Sequence, residues 1–322
     1  MKALGARYFA PEVPERIAAL RVLVGLFGTI FLVIRTGYLF DVARLPAARF
    51  DAVGPLAFLD RPLPVWVVHA GVYVAIAAGV AVVLGWRYRV TGPVFAVLLL
   101  LATTYDNSWQ HLAHAENLFT LHALVLGFAP AADAWSLDAR RRRAAGHPAT
   151  VPSPGHGWPV RLLSILTACT YVLAGWAKLR NGGFDWITGD VLRHQIAHDN
   201  VRKAVLGAPY SPIGGRLARY AWVFPPMALA SVVVELGAPF ALWGGRVRRW
   251  WVGAAWLFHL GVLVLMAILF AYPLSGVAYA SFLRPDEWWN RRVAARRARH
   301  ARGGAERILE PGVVGSYRHP DV

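Results

Sequence analysis

The chain has 322 residues, of which 57% are hydrophobic and 16% are charged, and its formal net charge is +16. A soluble domain of this length holds about a quarter charged residues, so the composition excludes an ordinary water-soluble protein. No nucleic-acid recognition module accompanies the positive charge, which argues against DNA or RNA as a partner.

Long apolar runs divide the chain, and a helix needs roughly 20 such residues to cross a membrane, somewhat fewer where polar groups line an interior. The sequence therefore predicts an all-α, polytopic membrane bundle of about eight transmembrane helices. The first run ends in Arg35 rather than in a small-residue cleavage site, so it is interpreted as a retained helix. The runs are Ile17–Ile34, Val65–Leu84, Val90–Ala102, Leu118–Ala129, Leu162–Ala177, Met227–Trp243, Trp250–Leu269 and Phe270–Phe282.

Basic residues flank these runs unevenly, and this asymmetry predicts the orientation. Arg87, Arg89, Arg140–Arg143 and Arg246–Arg249 all fall in connections on one side. Cytoplasmic connections carry an excess of Lys and Arg, so we expect a multi-pass protein of the cell membrane with both termini in the cytoplasm. Lys178–Tyr220 then becomes an external loop between predicted helices 5 and 6.

The polar connections differ in character. Asp133–Pro159 is rich in Ala, Arg, Pro and Gly, which predicts a flexible inner linker. In the external loop, Arg193–Asn200 has the pattern of a short amphipathic helix. Residues 1–290 are interpreted as the transmembrane domain and 291–322 as a basic, flexible cytoplasmic tail. The single Cys169 excludes an intrachain disulfide and a cysteine-based metal site.

The densest polar cluster within the apolar part is Tyr105–His122. If this stretch is one helix, His111 and His122 point almost the same way and His114 lies about 60° round from them. Three imidazoles on one face fit a proton relay or substrate contact, a metal site, or an interior hydrogen-bond network. No carboxylate or thiol shares the stripe, so no metal site is predicted.

Glu235 and His259 lie deep inside predicted spans. Ionisable groups at such positions are costly and usually face the bundle interior with a partner. A structural hydrogen bond between helices and a functional role both remain open for each residue.

Lys178 ends the apolar segment that begins at Tyr171, just ahead of a loop with Trp186. A lysine there can be an anchor that extends its amine to the membrane surface. It can also be a base, because loss of hydration favours the neutral amine. A salt bridge from Asp185 or Asp190 would favour the anchor.

Five stretches occur in an order that resembles a known family. The chain is similar to the transmembrane region of vitamin K-dependent gamma-carboxylase and to the bacterial HTTM (horizontally transferred transmembrane) domain proteins related to it. The resemblance runs from about residue 14 to 290. The stretches are Ala19–Gly25, Leu84–Arg89, Asp106–Trp109 with its histidines, Tyr171–Gly189, and Phe258-His259 with Arg284–Trp288.

The resemblance implies roles for individual residues. Lys178 matches the family's base, which deprotonates a reduced quinone of the vitamin K type. His114, with His111 as the other candidate, matches the histidine that stabilises the carbanion at a glutamate γ-carbon. Trp109, Trp186, Glu235 and His259 are the residues expected to bind this cofactor. A peptide or protein would be the substrate, and the bilayer the surrounding partner.

The sequence also departs from the carboxylase. After Trp289 we expect no equivalent of its large external domain, and Ala177 stands where the carboxylase has a second lysine. We therefore expect a quinol-dependent, carboxylase-like membrane enzyme without the C-terminal substrate domain. The alternative is a non-catalytic accessory membrane protein that helps to mature or export a secreted peptide, as one HTTM protein does.

Overall fold

The computed structural model describes residues 2–110, 114–188 and 190–295. Within these ranges the chain is helical and forms no β-strand, which confirms the all-α prediction. The α-helices up to residue 283 are α1 Lys2–Tyr8, α2 Pro14–Val42, α3 Val65–Leu84, α4 Tyr88–Asn107, α5 Asn117–Gly127, α6 Leu137–Ala144, α7 Pro154–Gly182, α8 Asp185–Thr188, α9 Val191–Val205, α10 Pro212–Leu217, α11 Phe224–Leu236, α12 Gly245–Met266 and α13 Ala271–Leu274.

Five of these helices, α2, α3, α4, α7 and α12, are long and apolar enough to cross a membrane. The apolar runs at Leu118–Ala129, Met227–Trp243 and Phe270–Phe282 form shorter helices instead of single long ones. The structure therefore supports a multi-pass membrane protein, while eight spans remain a prediction.

Proline accounts for the break in the run Met227–Trp243. Pro239 lacks the backbone N–H that would donate to the carbonyl of Glu235 in a continuous helix. Accordingly α11 ends at Leu236, and a 3₁₀ helix continues over Ala238–Trp243. The break places the end of a short helix inside the apolar bundle, next to Glu235.

The polar cluster Tyr105–His122 does not form the single helix on which its histidine geometry was predicted. α4 ends at Asn107, Gln110 adopts a left-handed φ of 61°, and His114 lies in a 3₁₀ turn before α5. His122 lies within α5, so His114 and His122 do not share one helical face. His111 lies outside the described residues.

The connection Asp133–Pro159, predicted to be a flexible inner linker, contains the ordered helix α6. Ser136 caps α6 by accepting a hydrogen bond from the Ala139 N–H at 2.8 Å. Asp138 accepts the N–H groups of Arg87 and Tyr88 at 2.9 and 2.8 Å, at the start of α4. These caps satisfy backbone donors at the N-terminal ends of α6 and α4, and they hold the connection against the bundle.

The predicted external loop between α7 and α11 contains three helices, α8, α9 and α10. α9 extends the amphipathic helix that was predicted at Arg193–Asn200. Asp199 forms ion pairs with Lys203 at 2.7 Å and Arg202 at 2.9 Å. Burial by itself raises the pKa of Asp199, but hydrogen bonds from both cations outweigh it and hold that pKa below its ordinary value.

From Arg284 the chain forms a second unit, which is described as far as residue 295. Residues 285–295 are helical, and Arg284 forms an ion pair with Glu287 at 3.1 Å. The predicted boundary at residue 290 between domain and tail stays a prediction.

Candidate active-site cavity

A cavity of about 760 Å³ lies between α7, α11 and α12, with residues of α5, α8 and α9 at its margins. This volume falls within the range of about 300–1,000 Å³ that is typical of small-molecule sites. Most of its lining is apolar, with residues such as Val234, Leu257 and Val262. An apolar ligand of moderate size therefore fits the cavity.

An ion pair lies in this apolar wall. The Nζ atom of Lys178 donates to Oε1 of Glu235 at 2.6 Å, and the two side chains are 19% and 3% exposed. The same Nζ lies 5.3 and 5.0 Å from the ring centres of Trp186 and Phe258, within cation–π distance. The amine of Lys178 is thus directed into the bundle.

The partner of Lys178 is not one of the two carboxylates that the sequence suggested. Asp190 bonds Arg193 at 3.4 Å, and Glu235 comes from a helix 57 residues further along the chain. An anchor would pair with a carboxylate of the loop, whereas Lys178 pairs with a carboxylate inside the bundle. The ion pair therefore belongs to the cavity.

Gly175 allows α7 and α11 to approach closely enough for this pair to form. A Cβ atom at position 175 would lie 2.9 Å from Cβ of Glu235 and 3.0 Å from Cδ2 of Leu236. Gly175 and Lys178 lie three residues apart on α7 and therefore face the same neighbour.

We expect Gly175→Ala to lower both thermal stability and the activity proposed below. Overpacking of a well-packed contact costs about 1–3 kcal/mol, and here it pushes Glu235 away from Lys178. Gly253→Ala on α12 is the matched control, because no atom lies within 4 Å of its added Cβ. Thermal unfolding of the purified variants measures the difference. Equal unfolding temperatures would show that the close approach at Gly175 is unimportant.

His259 on α12 presents a second polar group to the cavity. Its Nδ1 lies 3.0 Å from the Ala255 carbonyl oxygen and 3.1 Å from the Tyr171 hydroxyl, which bonds Tyr279 at 2.5 Å. Because a carbonyl oxygen only accepts, we assign the proton to Nδ1. The neutral imidazole then has Nε2 as its hydrogen-bond acceptor.

Two buried polar atoms of the lining have no hydrogen-bond partner among the described residues. They are Oε2 of Glu235, an acceptor when the carboxyl group is ionised, and Nε1 of Trp186, a donor. Buried polar atoms in native proteins are normally bonded to protein, water or ligand. One donor and one acceptor are therefore available to a polar ligand group.

The structure gathers most of the residues that the sequence singled out. Lys178, His114, Glu235, His259 and Trp186 all line the cavity. No described group of three or more His, Cys, Asp or Glu side chains could hold a metal ion.

Two residues of the polar cluster Tyr105–His122, the predicted site residue Trp109 and His122, lie elsewhere. Trp109 packs against Phe50 and Tyr105, with ring centres 5.2 and 5.8 Å away, in a separate aromatic cluster. Trp109 was predicted as a site residue because it lies in the polar cluster. Helix α4 ends at Asn107, before Trp109 and the turn at Gln110, and the side chain of Trp109 lies outside the cavity. His122 bonds the Tyr272 hydroxyl at 2.7 Å and lies 3.1 Å from the Leu163 carbonyl oxygen, as an interior hydrogen-bond network requires.

Sequence reasoning missed Tyr171, Tyr279 and Phe258 as members of the site. Tyr171 and Phe258 stood in stretches that carried the family resemblance, but no chemistry distinguished them from other apolar-run residues. Tyr279 lay in the last apolar run between Ala278 and Ala280, and it joins the site through its bond to Tyr171 without lining the cavity itself. Only the packing of distant helices brings the three together.

A family model described as HTTM domain matches residues 9–288 of the chain, which include every residue of the cavity. No curated protein and no solved structure matches the chain.

Proposed function

The chain belongs to the HTTM domain family, and on that premise we propose that it is a membrane enzyme that binds a reduced quinone. In this proposal the Lys178–Glu235 pair takes a proton from a hydroxyl group of the ligand. The observation that carries the proposal is an ion pair at 2.6 Å in the wall of an apolar cavity, with Oε2 of Glu235 left without a hydrogen-bond partner in the part of the chain that the structure describes.

A reduced quinone fits the groups that the cavity offers. Its ring system and isoprenoid chain are apolar, as the lining is. Its hydroxyl groups can donate to Oε2 of Glu235 and accept from Nε1 of Trp186, the two lining atoms that lack a partner among the described residues. When bound, the quinol supplies electrons and, on oxygenation, the strong base that the related carboxylase uses on its glutamate substrate.

The pair explains how a lysine can act as a base here. An ammonium group cannot accept a proton, but Lys178 can pass its proton to Glu235 across the 2.6 Å contact. Two opposite charges are less well solvated in a low-dielectric interior than in water, so the interior favours a neutral amine beside a neutral carboxyl group. The neutral amine then accepts the hydroxyl proton, and the resulting ammonium group stabilises the oxyanion of the ligand.

The two histidines have separate roles in this proposal. Nε2 of His259, held by the Nδ1 contacts to Ala255 and Tyr171, accepts a hydrogen bond from the second hydroxyl group. His114 lies at the margin of the cavity, in the 3₁₀ turn before α5, and the family resemblance assigns it the stabilisation of a carbanion.

The accessory role remains the alternative, and it differs in what it requires of the structure. A protein that only holds a partner does not need Lys178, His114, Glu235 and His259 around one cavity. Their shared position supports the enzyme, with a carboxylase-like carbon–carbon lyase reaction linked to quinol oxidation as its class.

We expect Glu235→Gln to lose most quinol oxidation, while oxidised menaquinone, whose carbonyl groups can accept from the new amide, still binds. The glutamine carbonyl still accepts from Lys178, but the amide cannot take its proton, and loss of one acid–base group costs about 10²–10⁴-fold in rate. Purified protein in vesicles that contain reduced menaquinone, under air, is assayed for quinone and quinone epoxide by extraction and chromatography.

Protein-free vesicles in the same buffer give the rate of autoxidation, and thermal shift with oxidised menaquinone reports binding. Parent protein that oxidises the quinol no faster than empty vesicles would contradict the proposed enzyme. A Glu235→Gln variant as fast as the parent would show that the carboxyl group does not accept the lysine proton.

A further inference from the structure

The cavity is not enclosed by the spanning helices on all sides. Among its lining residues, Thr170 and Ala174 on α7, Ala230 on α11 and Leu257 on α12 are exposed. On α7 these positions adjoin Leu173, which is 66% exposed and does not line the cavity. The cavity lining therefore continues into the outer, apolar surface of the bundle.

In a membrane that α7 and α12 cross, this opening lies at the depth of the hydrocarbon core. At 1.5 Å per residue, Thr170 lies about 18 Å along the axis from the C-terminal end of α7, and Leu257 about 14 Å from that of α12. A bilayer core is about 30 Å thick, so both positions fall near its middle. Lipid chains, not water, surround a bundle surface at this depth.

The segment between α7 and α11 covers the end of the cavity beside Lys178. Trp186 of α8 and Leu192 and Ile196 of α9 form this cover. Trp186 and Ile196 are buried, and Trp186 packs against Ala228 of α11.

Polar contacts hold this cover to the end of α12. Asn200 donates to the Leu265 carbonyl at 2.8 Å, Ser211 to that of Val264 at 2.5 Å, and Lys203 to that of Met266 at 2.5 Å. The last carbonyls of a helix have no partner within the helix, so these bonds satisfy groups that otherwise need water. The cover is therefore a bonded part of the bundle.

We infer that the ligand enters the cavity sideways from the membrane, through an opening bordered by Thr170, Ala174, Ala230 and Leu257. Its substrate class is then a lipid-soluble molecule already dissolved in the bilayer. The entry route stands on the exposed lining alone, whereas identifying the ligand as a quinol rests on the proposed function.

Nitroxide labels at single cysteines test the entry route. In a Cys169→Ser background, Ala174→Cys and Leu257→Cys place a label at the opening, and Gln195→Cys places one on the exposed part of α9, on the cover. In vesicles, a high rate of collision between the label and oxygen indicates that the label contacts lipid. A high rate of collision with a water-soluble nickel chelate indicates that it contacts water. We expect the oxygen-to-nickel ratio to be severalfold higher at Ala174 and Leu257 than at Gln195. Equal ratios, or protection of Ala174 from both reagents, would overturn lateral entry.

Menaquinone added to the vesicle lipid supplies a second reading. We expect it to lower the oxygen collision rate at Ala174 but not at Leu173, the neighbouring residue outside the cavity. An unchanged rate at Ala174 with a high oxygen-to-nickel ratio would still support lateral entry and would count against the quinol instead. An equal fall in the oxygen collision rate at both positions would show that menaquinone acts on the membrane as a whole, and it would overturn a specific opening.

Adjacent glycines test the cover. A Cβ at Gly214 would overlap the Leu265 carbonyl oxygen, whereas nothing lies within 4 Å of one at Gly215. We expect Gly214→Ala to loosen the cover and raise nickel collisions severalfold at a label on Ala174, with Gly215→Ala unchanged. No difference between the two variants would show that the cover does not keep water out.

Discussion

Lys178→Arg is expected to abolish quinol oxidation while the protein still folds and inserts into the membrane. Arginine keeps the positive charge and an apolar stem, and its guanidinium group can still pair with Glu235, which lies 2.6 Å from the lysine amine. It cannot, however, lose a proton under physiological conditions. Removal of a general base lowers the rate by about 10²–10⁴-fold, which brings turnover to the level of protein-free vesicles.

The measurement is the menaquinol assay in vesicles, with elution profile and thermal unfolding as reports of folding. Arg180→Ala is the matched control, since Arg180 is an exposed cation two residues along the same helix and does not line the cavity. If Lys178→Arg turned over as fast as the parent, Lys178 would be a structural cation and the proposed proton step would be wrong.

Arg21→Met is expected to cause a large loss of stability. Arg21 is 0% exposed, and its guanidinium group donates to four backbone carbonyls. The acceptors are Ala131, Ala134 and Trp135 after α5, at 2.9, 3.3 and 2.6 Å, and Val83 near the end of α3, at 3.4 Å. Methionine fills much of the volume but offers no donor, and each buried polar group left unsatisfied costs about 1–3 kcal/mol.

We therefore expect Arg21→Met to lose on the order of 3 kcal/mol or more and to give little monodisperse protein. Arg44→Met is the control, because Arg44 is 62% exposed and its pair with Asp41 at 3.7 Å is of the kind worth about 0–1 kcal/mol. Thermal unfolding in one detergent compares the two. Equal stability of both variants would mean that water or other donors replace Arg21.

Several features of the fold could be predicted from local sequence because they depend on local composition. Long apolar runs predicted spanning helices, and five of them form helices long enough to cross a membrane. The family resemblance also rested on short motifs, and the match over residues 9–288 confirms that the chain belongs to the HTTM family.

The shorter elements show where local composition is insufficient. The apolar runs around Pro239 and after Met266 are as hydrophobic as the others, yet they break into short helices. Apolarity alone does not distinguish a continuous helix from a broken one that is buried between neighbours. Likewise, the angular argument for His114 and His122 assumed a continuous helix, which the turn at Gln110 interrupts.

The sequence by itself determined that the chain is an all-helical membrane protein of the HTTM family, and it singled out Lys178, Glu235 and His259 as ionisable groups in costly positions. Only the tertiary structure decided that Lys178 pairs with Glu235 and not with Asp185 or Asp190, that Gly175 admits this contact, and that Trp109 lies elsewhere. The physical reason is distance along the chain. Apolar runs and costly ionic positions are local properties, whereas a side chain 57 residues away becomes a partner only when two helices pack at a small residue.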